Sequence, residues 1–154
     1  MKIPLTNVDI EQYLGELQGF KGCRSIDMIP KEKALKKGES LVINYKNLQT
    51  GTGAEHWVCV YKGSGETSFF DSFGSEPSPI IRKWLKKTQI RYNTVDIQSF
   101  DSVACGWYCI HVLTQLAGGR DLEDVCDDFA RFNTWDMDAV RKNDDRLVDA
   151  LGKK

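Results

Sequence analysis

The stretch "HWVCVYKGSGETSFFD", His56 to Asp71, limits the fold more than any other part of the chain. It holds two runs of aromatic and β-branched residues, His56–Tyr61 and Thr67–Asp71. Between them, Lys62-Gly63-Ser64-Gly65-Glu66 has the composition of a hairpin turn. Leu41 to Tyr45 and "IRYNTVDI", Ile90 to Ile97, read as two further strands. Thr6-Asn7-Val8-Asp9 has the form of a capping box, with Ile10, Leu14 and Leu17 spaced for one helix face. Gly19 to Glu39 reads as a loop, and "NLQTGTGAE" as a turn-rich connector. Pro79 opens a short helix with an apolar stripe of Ile81, Trp84 and Leu85; Arg82, Lys83, Lys86 and Lys87 lie on its outer side. A longer helix is expected from Cys105 to about Leu116, ended by Gly118-Gly119, with further helices near 122–129 and 137–151. A helix, a strand group and then helices make the expected class α+β.

The 154 residues, 41% of them hydrophobic, suit one domain spanning 1–154. The net charge of −1, from 21 basic and 22 acidic side chains, neither requires nor excludes a polyanionic partner. No run is long enough for a membrane span, and the first ten residues lack a signal peptide's apolar core. The five cysteines, Cys23, Cys59, Cys105, Cys109 and Cys126, are odd in number and scattered. That argues against a disulfide framework and for a protein kept in a reducing compartment.

Free cysteines are usually small core residues, so one of them must be singled out by its surroundings. Cys105 is. It stands at the expected start of a helix, where the backbone dipole and a neighbouring imidazolium favour the thiolate. Gly106 leaves room for an approaching carbonyl, and the first-turn amides, including that of Cys105, can donate to an oxyanion. Gln98 offers a second donor from the preceding loop, while Cys109, one turn deeper, reads as core. Of the two histidines, His111 lies on the Cys105 helix itself, about 9 Å along the axis and well around the cylinder. His56, at the rim of the expected sheet, is the remaining base. Asp71 ends the adjoining strand of the same hairpin and is placed to orient that imidazole. A zinc site from His56, Cys59, Cys105 and Cys109 fails on spacing: residues three apart in a strand point to opposite faces, and no paired C-x-x-C exists.

His56-Trp57, then Asp71-Ser72-Phe73-Gly74, then Gln98, then Ala104-Cys105-Gly106, in that order, resembles the adenovirus proteinase (adenain) family. Its relatives include maturation proteases of other large DNA viruses and virophages and, more distantly, the SUMO-specific peptidases. The early "LTNVDIEQYL" and "FKGCRSIDMIP" look like the family's N-terminal segment, so the similarity runs from the first helix to Leu116. The resemblance implies a rearranged papain-like cysteine peptidase fold: an antiparallel or mixed sheet flanked by helices, with the histidine ahead of the cysteine. It implies Cys105 as nucleophile, His56 as general base and acid, Asp71 as the orienting acid and Gln98 as oxyanion donor. Trp57 would line the substrate channel beside His56. Viral members cut capsid and core precursor proteins after small, often Gly-containing motifs, which would place this chain in the virion and the infected cell.

Asp71 stands where the adenoviral enzyme has a glutamate, a change that keeps the carboxylate. That enzyme is activated by a cofactor peptide and by DNA. Here no residue matches the peptide-linking cysteine, and only the loop Lys31 to Lys37 and the helix face Arg82 to Lys87 offer phosphate contacts. The sequence itself requires no cofactor or metal, and a monomer is expected. Two other readings stay open. One is a peptidase removing ubiquitin-like modifiers, or an effector acyltransferase, on the same fold. The other is an inactive protein-binding module.

Overall fold

The computed structural model of the chain describes residues 4–53, 55–86, 89–98, 103–129, 142–147 and 151. Five strands form one mixed sheet in the order β1-β2-β3-β4-β5. They are β1 Phe20–Ser25, β2 Ser40–Asn44, β3 Trp57–Lys62, β4 Thr67–Phe70 and β5 Ile90–Tyr92. The inner pairs β2/β3 and β3/β4 are antiparallel, whereas the outer pairs β1/β2 and β4/β5 are parallel. The expected hairpin is therefore the centre of the sheet. It is joined to β2 in a register that sets Asn44 opposite Trp57.

Side chains alternate across a strand, so each central strand feeds two cores. Leu41 and Ile43, Val58 and Val60, and Phe69 point to one side. There they meet Ile29 of a 3₁₀ helix, Ile26–Lys31, and Ile81 of α2, Pro79–Trp84. Val42, Trp57, Cys59 and Phe70 point to the other side, against α1, Asn7–Leu14, α3, Cys105–Ala117, and α4, Leu122–Cys126. α3 lies over β3 and is buried nearly all round. An apolar helix such as "CGWYCIHVLTQLA" demands that position.

Local signals place the helix ends. Thr6 Oγ1 accepts from the Asp9 N–H while the Asp9 carboxylate accepts from the Thr6 N–H, which completes the capping box. Ser78 caps α2 ahead of Pro79. α3 stops at Gly118-Gly119, where Gly119 takes a φ of 101°, open to glycine and strained for other residues.

Three expectations are corrected. The Gly19–Glu39 loop contains β1 and the 3₁₀ helix. β1 is an edge strand with a register shift between Phe20 and Cys23 and only Ser25 fully buried, so it carries no period of two. The expected strand Ile90–Ile97 pairs only through Tyr92, for a reason given below. α4 ends at Cys126, short of Phe129. Residues 142–147 are helical, while 137–141 and 148–150 of the last expected helix lie outside the described residues.

Candidate active site

At the rim of the sheet the β2/β3 ladder fixes the backbone of His56. The His56 carbonyl accepts from the Tyr45 N–H at 2.9 Å, and its N–H donates to Asn44 Oδ1 at 3.3 Å. The ring leaves this anchor stacked on Phe73, with centroids 4.8 Å apart and planes 22° from parallel, and tilted against Tyr45 at 5.9 Å. His56 Nε2 meets Asp71 Oδ1 at 2.8 Å. The Cys105 thiol is the other ionisable group that acts on the ring. Burial works against an imidazolium here. The hydrogen bond to Asp71 and the influence of Cys105, together with their charges, outweigh it, and the His56 pKa is pushed up to about 9.

Asp71 follows β4 and is 2% exposed. Its Oδ1 also accepts the Phe73 N–H at 2.9 Å, an Asx turn that sets the carboxylate's direction. Gly74 closes the turn by donating to the Asp71 carbonyl at 2.8 Å. It has a φ of 78°, and a Cβ there would come 2.8 Å from the backbone of Val95. The turn is thereby pressed against the 95–98 segment. On its other side the Asn93 carboxamide holds Asp71: Oδ1 accepts the Asp71 N–H at 3.2 Å and Nδ2 donates to the Asp71 carbonyl at 2.6 Å. The Asn93 side chain thus takes the place of the next strand residue, which is why β5 ends at Tyr92.

Cys105 is the first residue of α3, and Ala104 before it has no side chain to cap the helix. The Cys105 side chain is largely covered, at 8% exposure, and its sulfur accepts the Trp57 N–H at 3.4 Å. His56, Asp71 and Cys105 therefore come together from three separate elements. Gln98 is fully buried beside the Asp71 turn. Its N–H donates to Ser72 O and to Asp96 Oδ1, each at 3.1 Å, and its Oε1 accepts from the Ser72 hydroxyl. The Ser72 hydroxyl thereby ties the Gln98 carboxamide to the Asp71 turn.

Two expected substrate contacts are placed differently. The Trp57 ring is 4% exposed, and its indole N–H donates to the Leu5 carbonyl at 3.1 Å. It packs into the core instead of lining a channel, and its contribution to the site is the backbone N–H. Gly106 faces inward: a Cβ there would meet Leu5 and Ile10 at 3.2–3.3 Å. A larger residue there would require Leu5 and Ile10, which pack on α3 from the N-terminal segment and α1, to give by a few tenths of an ångström. Cys109 is core, and burial, followed by contact with the Cys59 thiol, pushes its pKa well up. His111 lies edge-on to Phe129 at 5.4 Å.

Phe73, Tyr45, Asn93 and the Trp57 amide went unread in the sequence. The one available signal was Phe73, two residues beyond the acid and in the first turn after it. Tyr45 keeps its proton, since burial and then the Asp71 charge push its pKa up to about 12. Among the described residues no group of three or more His, Cys, Asp or Glu side chains is arranged to hold a metal ion.

No protein-family model and no curated protein sequence matches this chain. In three dimensions it matches crystal structures of the ASFV pS273R protease and of its selenomethionine form. The TM-scores are 0.55, the identities 17% and 15%, and 93% of this chain is covered. The chain spans 66% and 67% of the lengths of those two chains. At such identity the likeness is one of fold, and that fold is the α+β, papain-related arrangement of a viral protease.

Proposed function

We propose that the chain is a cysteine endopeptidase that processes viral capsid or core precursor proteins after small, Gly-containing motifs during virion maturation. The observation that carries this reading is His56 held between Asp71, at 2.8 Å, and Cys105, whose sulfur takes the Trp57 N–H. In the proposed reaction the Cys105 thiolate attacks the scissile carbonyl. The oxyanion is met by the Cys105 amide at the head of α3 and by the Gln98 carboxamide. The His56 imidazolium, favoured by its raised pKa, gives its proton to the leaving amine. The neutral ring then deprotonates the water that opens the thioester, and the thiolate is regenerated. Asp71 keeps the ring oriented and stabilises its charge. The fold shared with a viral protease supports the same reading. The substrates would be precursors met in the virion and infected cell. Among the described residues an activating DNA would have to use the exposed Lys31, Lys33, Lys36, Lys37, Lys83 and Lys86, because Arg82 is engaged by Glu76 at 2.9 Å and by the Tyr92 ring; Lys87 of the expected face lies outside the described residues.

The test is cleavage of capsid precursor proteins and of Gly-containing peptides by the wild type and by Cys105→Ala. The alanine variant is expected to fold and to lose about 10⁴-fold or more in rate. Cleavage by Cys105→Ala at the wild-type rate would remove the mechanism. Labelling by ubiquitin- or SUMO-vinyl sulfone with precursors left uncut would replace the substrate.

A further inference from the structure

We propose that Asn93 is a positioning residue of this site: its single carboxamide fixes both backbone groups of Asp71 and thereby sets where the carboxylate meets His56. The inference rests on the peptidase reading above. β5 runs parallel to β4 in the register Thr67↔Ile90, Ser68↔Arg91 and Phe69↔Tyr92, and the ladder stops there. One more step along a parallel strand would use main-chain groups, spaced by the pleat, to reach Phe70 and Asp71. The Asn93 side chain offers a peptide-like donor and acceptor side by side and brings both to one residue. Oδ1 accepts the Asp71 N–H, and Nδ2 gives one hydrogen to the Asp71 carbonyl and the other to Val95 O at 3.2 Å.

These bonds lie out of bulk water, with Asn93 only 7% exposed. Three fixed points then determine the carboxylate: the Asn93 carboxamide on the backbone, the Phe73 N–H on Oδ1 and the His56 ring beyond it. Alanine at 93 would leave a hole against a cavity of about 340 Å³ that Asn93 itself helps to line, together with Tyr92, Val95 and Leu122. Water from that cavity can solvate the two freed backbone groups, so the chain can fold while the carboxylate loses its fixed place.

The titratable groups facing His56 are Asp71 from the turn after β4, Cys105 from α3 and Tyr45 from the end of β2, with the Phe73 ring stacked on it. Tyr45, Asp96 and Cys109 also feel the Asp71 charge. Among these the Asp71–His56 bond is the direct hydrogen bond, so His56 should respond most to the loss of Asn93.

The experiment is an NMR titration of isotope-labelled histidines in the whole chain, with His111 as internal reference, beside peptide-cleavage kinetics. In the wild type His56 should titrate near 9. In Asn93→Ala its midpoint should fall toward the ordinary histidine value, with kcat down about 10- to 100-fold and KM within about twofold. Asn143→Ala is the comparison, a buried asparagine that donates to Ile97 O at 2.9 Å. It should lose stability without moving the His56 midpoint. A wild-type midpoint and kcat in Asn93→Ala, or equal shifts in both alanine variants, would overturn the proposal. Should the alanine variant not fold, Asn93→Asp keeps the acceptor and loses both donors, and a wild-type kcat there would overturn it equally. A wild-type chain that cuts no peptide yet shows the shift in Asn93→Ala would keep the positioning role and end the peptidase reading.

Discussion

The same strands present two unlike faces. On the side of α2, Leu41, Ile43, Val58, Val60 and Phe69 meet Ile29, Ile81 and Leu85 in a layer that is apolar but for the buried Thr67 hydroxyl. On the side of α3 the apolar layer gives way at one rim to buried Asp71, Ser72, Asn93 and Gln98, each hydrogen-bonded. Apolar burial is nondirectional and proportional to area, so the first face works with any well-filled set of side chains. A buried polar group costs free energy unless its partner stands at the right distance and angle. The second face therefore admits few arrangements. Stability and geometry are divided between the two sides of one sheet.

Leu41→Ala tests this division with the largest expected effect. Leu41 is fully buried on the apolar face, three residues from the Asn44 rim. Its truncation should cost about 2–5 kcal/mol in urea unfolding, from lost transfer energy and a residual cavity. The His56 titration and the Cys105 alkylation rate of the folded protein should stay at wild-type values. A displaced titration would mean that the faces are mechanically coupled and would break the comparison.

The second effect belongs to the polar rim. His56 has a pKa of about 9 in the folded chain, above the ordinary value of 6.5. The folded state thus holds this proton more tightly than the unfolded state. The resulting stability is fully present below about pH 6.5 and is lost as pH rises through 9. For a ring this covered, the loss across that window is about 3 kcal/mol. Denaturation at pH 6.5 and 9 should show it, and Asp71→Asn should remove most of it. Cys23, whose pKa burial pushes up to about 12, adds a similar loss only above pH 9. A flat wild-type stability between pH 6.5 and 9 would mean that the rim holds no charged pair.

The division between the faces also explains what the sequence disclosed. The β3–β4 hairpin, the Thr6–Asp9 box and the apolar helix after Cys105 rest on local periodicity and local hydrogen bonds, and all three are present. His56, Asp71 and Cys105 were separable from other residues of their types because a hairpin brings two of them to one edge and a helix start distinguishes the third. Gln98, expected from the sequence as a second donor in the loop before the helix, is buried beside the Asp71 turn. Asn93 gave no signal, since Asp71, the partner that matters, lies 22 residues away and its neighbours "IRY" and "TVDI" read as uninterrupted strand. Trp57 and Gly106 were misplaced for a related reason. An aromatic beside the histidine and a glycine beside the cysteine fit a substrate channel, but their surroundings are set by Leu5 and Ile10 from the far N-terminal segment. Residues whose role depends on distant backbone leave no local pattern.

The smallest effect sharpens the comparison most. Asp96 has a pKa raised to about 6, chiefly by burial and then by the Asp71 charge, against the opposing Gln98 N–H. The folded state favours the neutral acid, so above about pH 6 the ionised Asp96 weighs against folding, and below pH 4 the burden disappears. Asp96→Asn keeps the acceptor for the Gln98 N–H and removes the charge. It should raise stability at pH 8 by about 1 kcal/mol, a figure discounted because Asp96 is partly open to water, and leave stability at pH 3.5 unchanged. An apolar layer offers no such gain, because its side chains carry no charge to remove. A gain at pH 8 would therefore show that the polar rim is held at a cost to folding, whereas equal stabilities of variant and wild type at both pH values would show the Asp96 carboxylate to be well solvated.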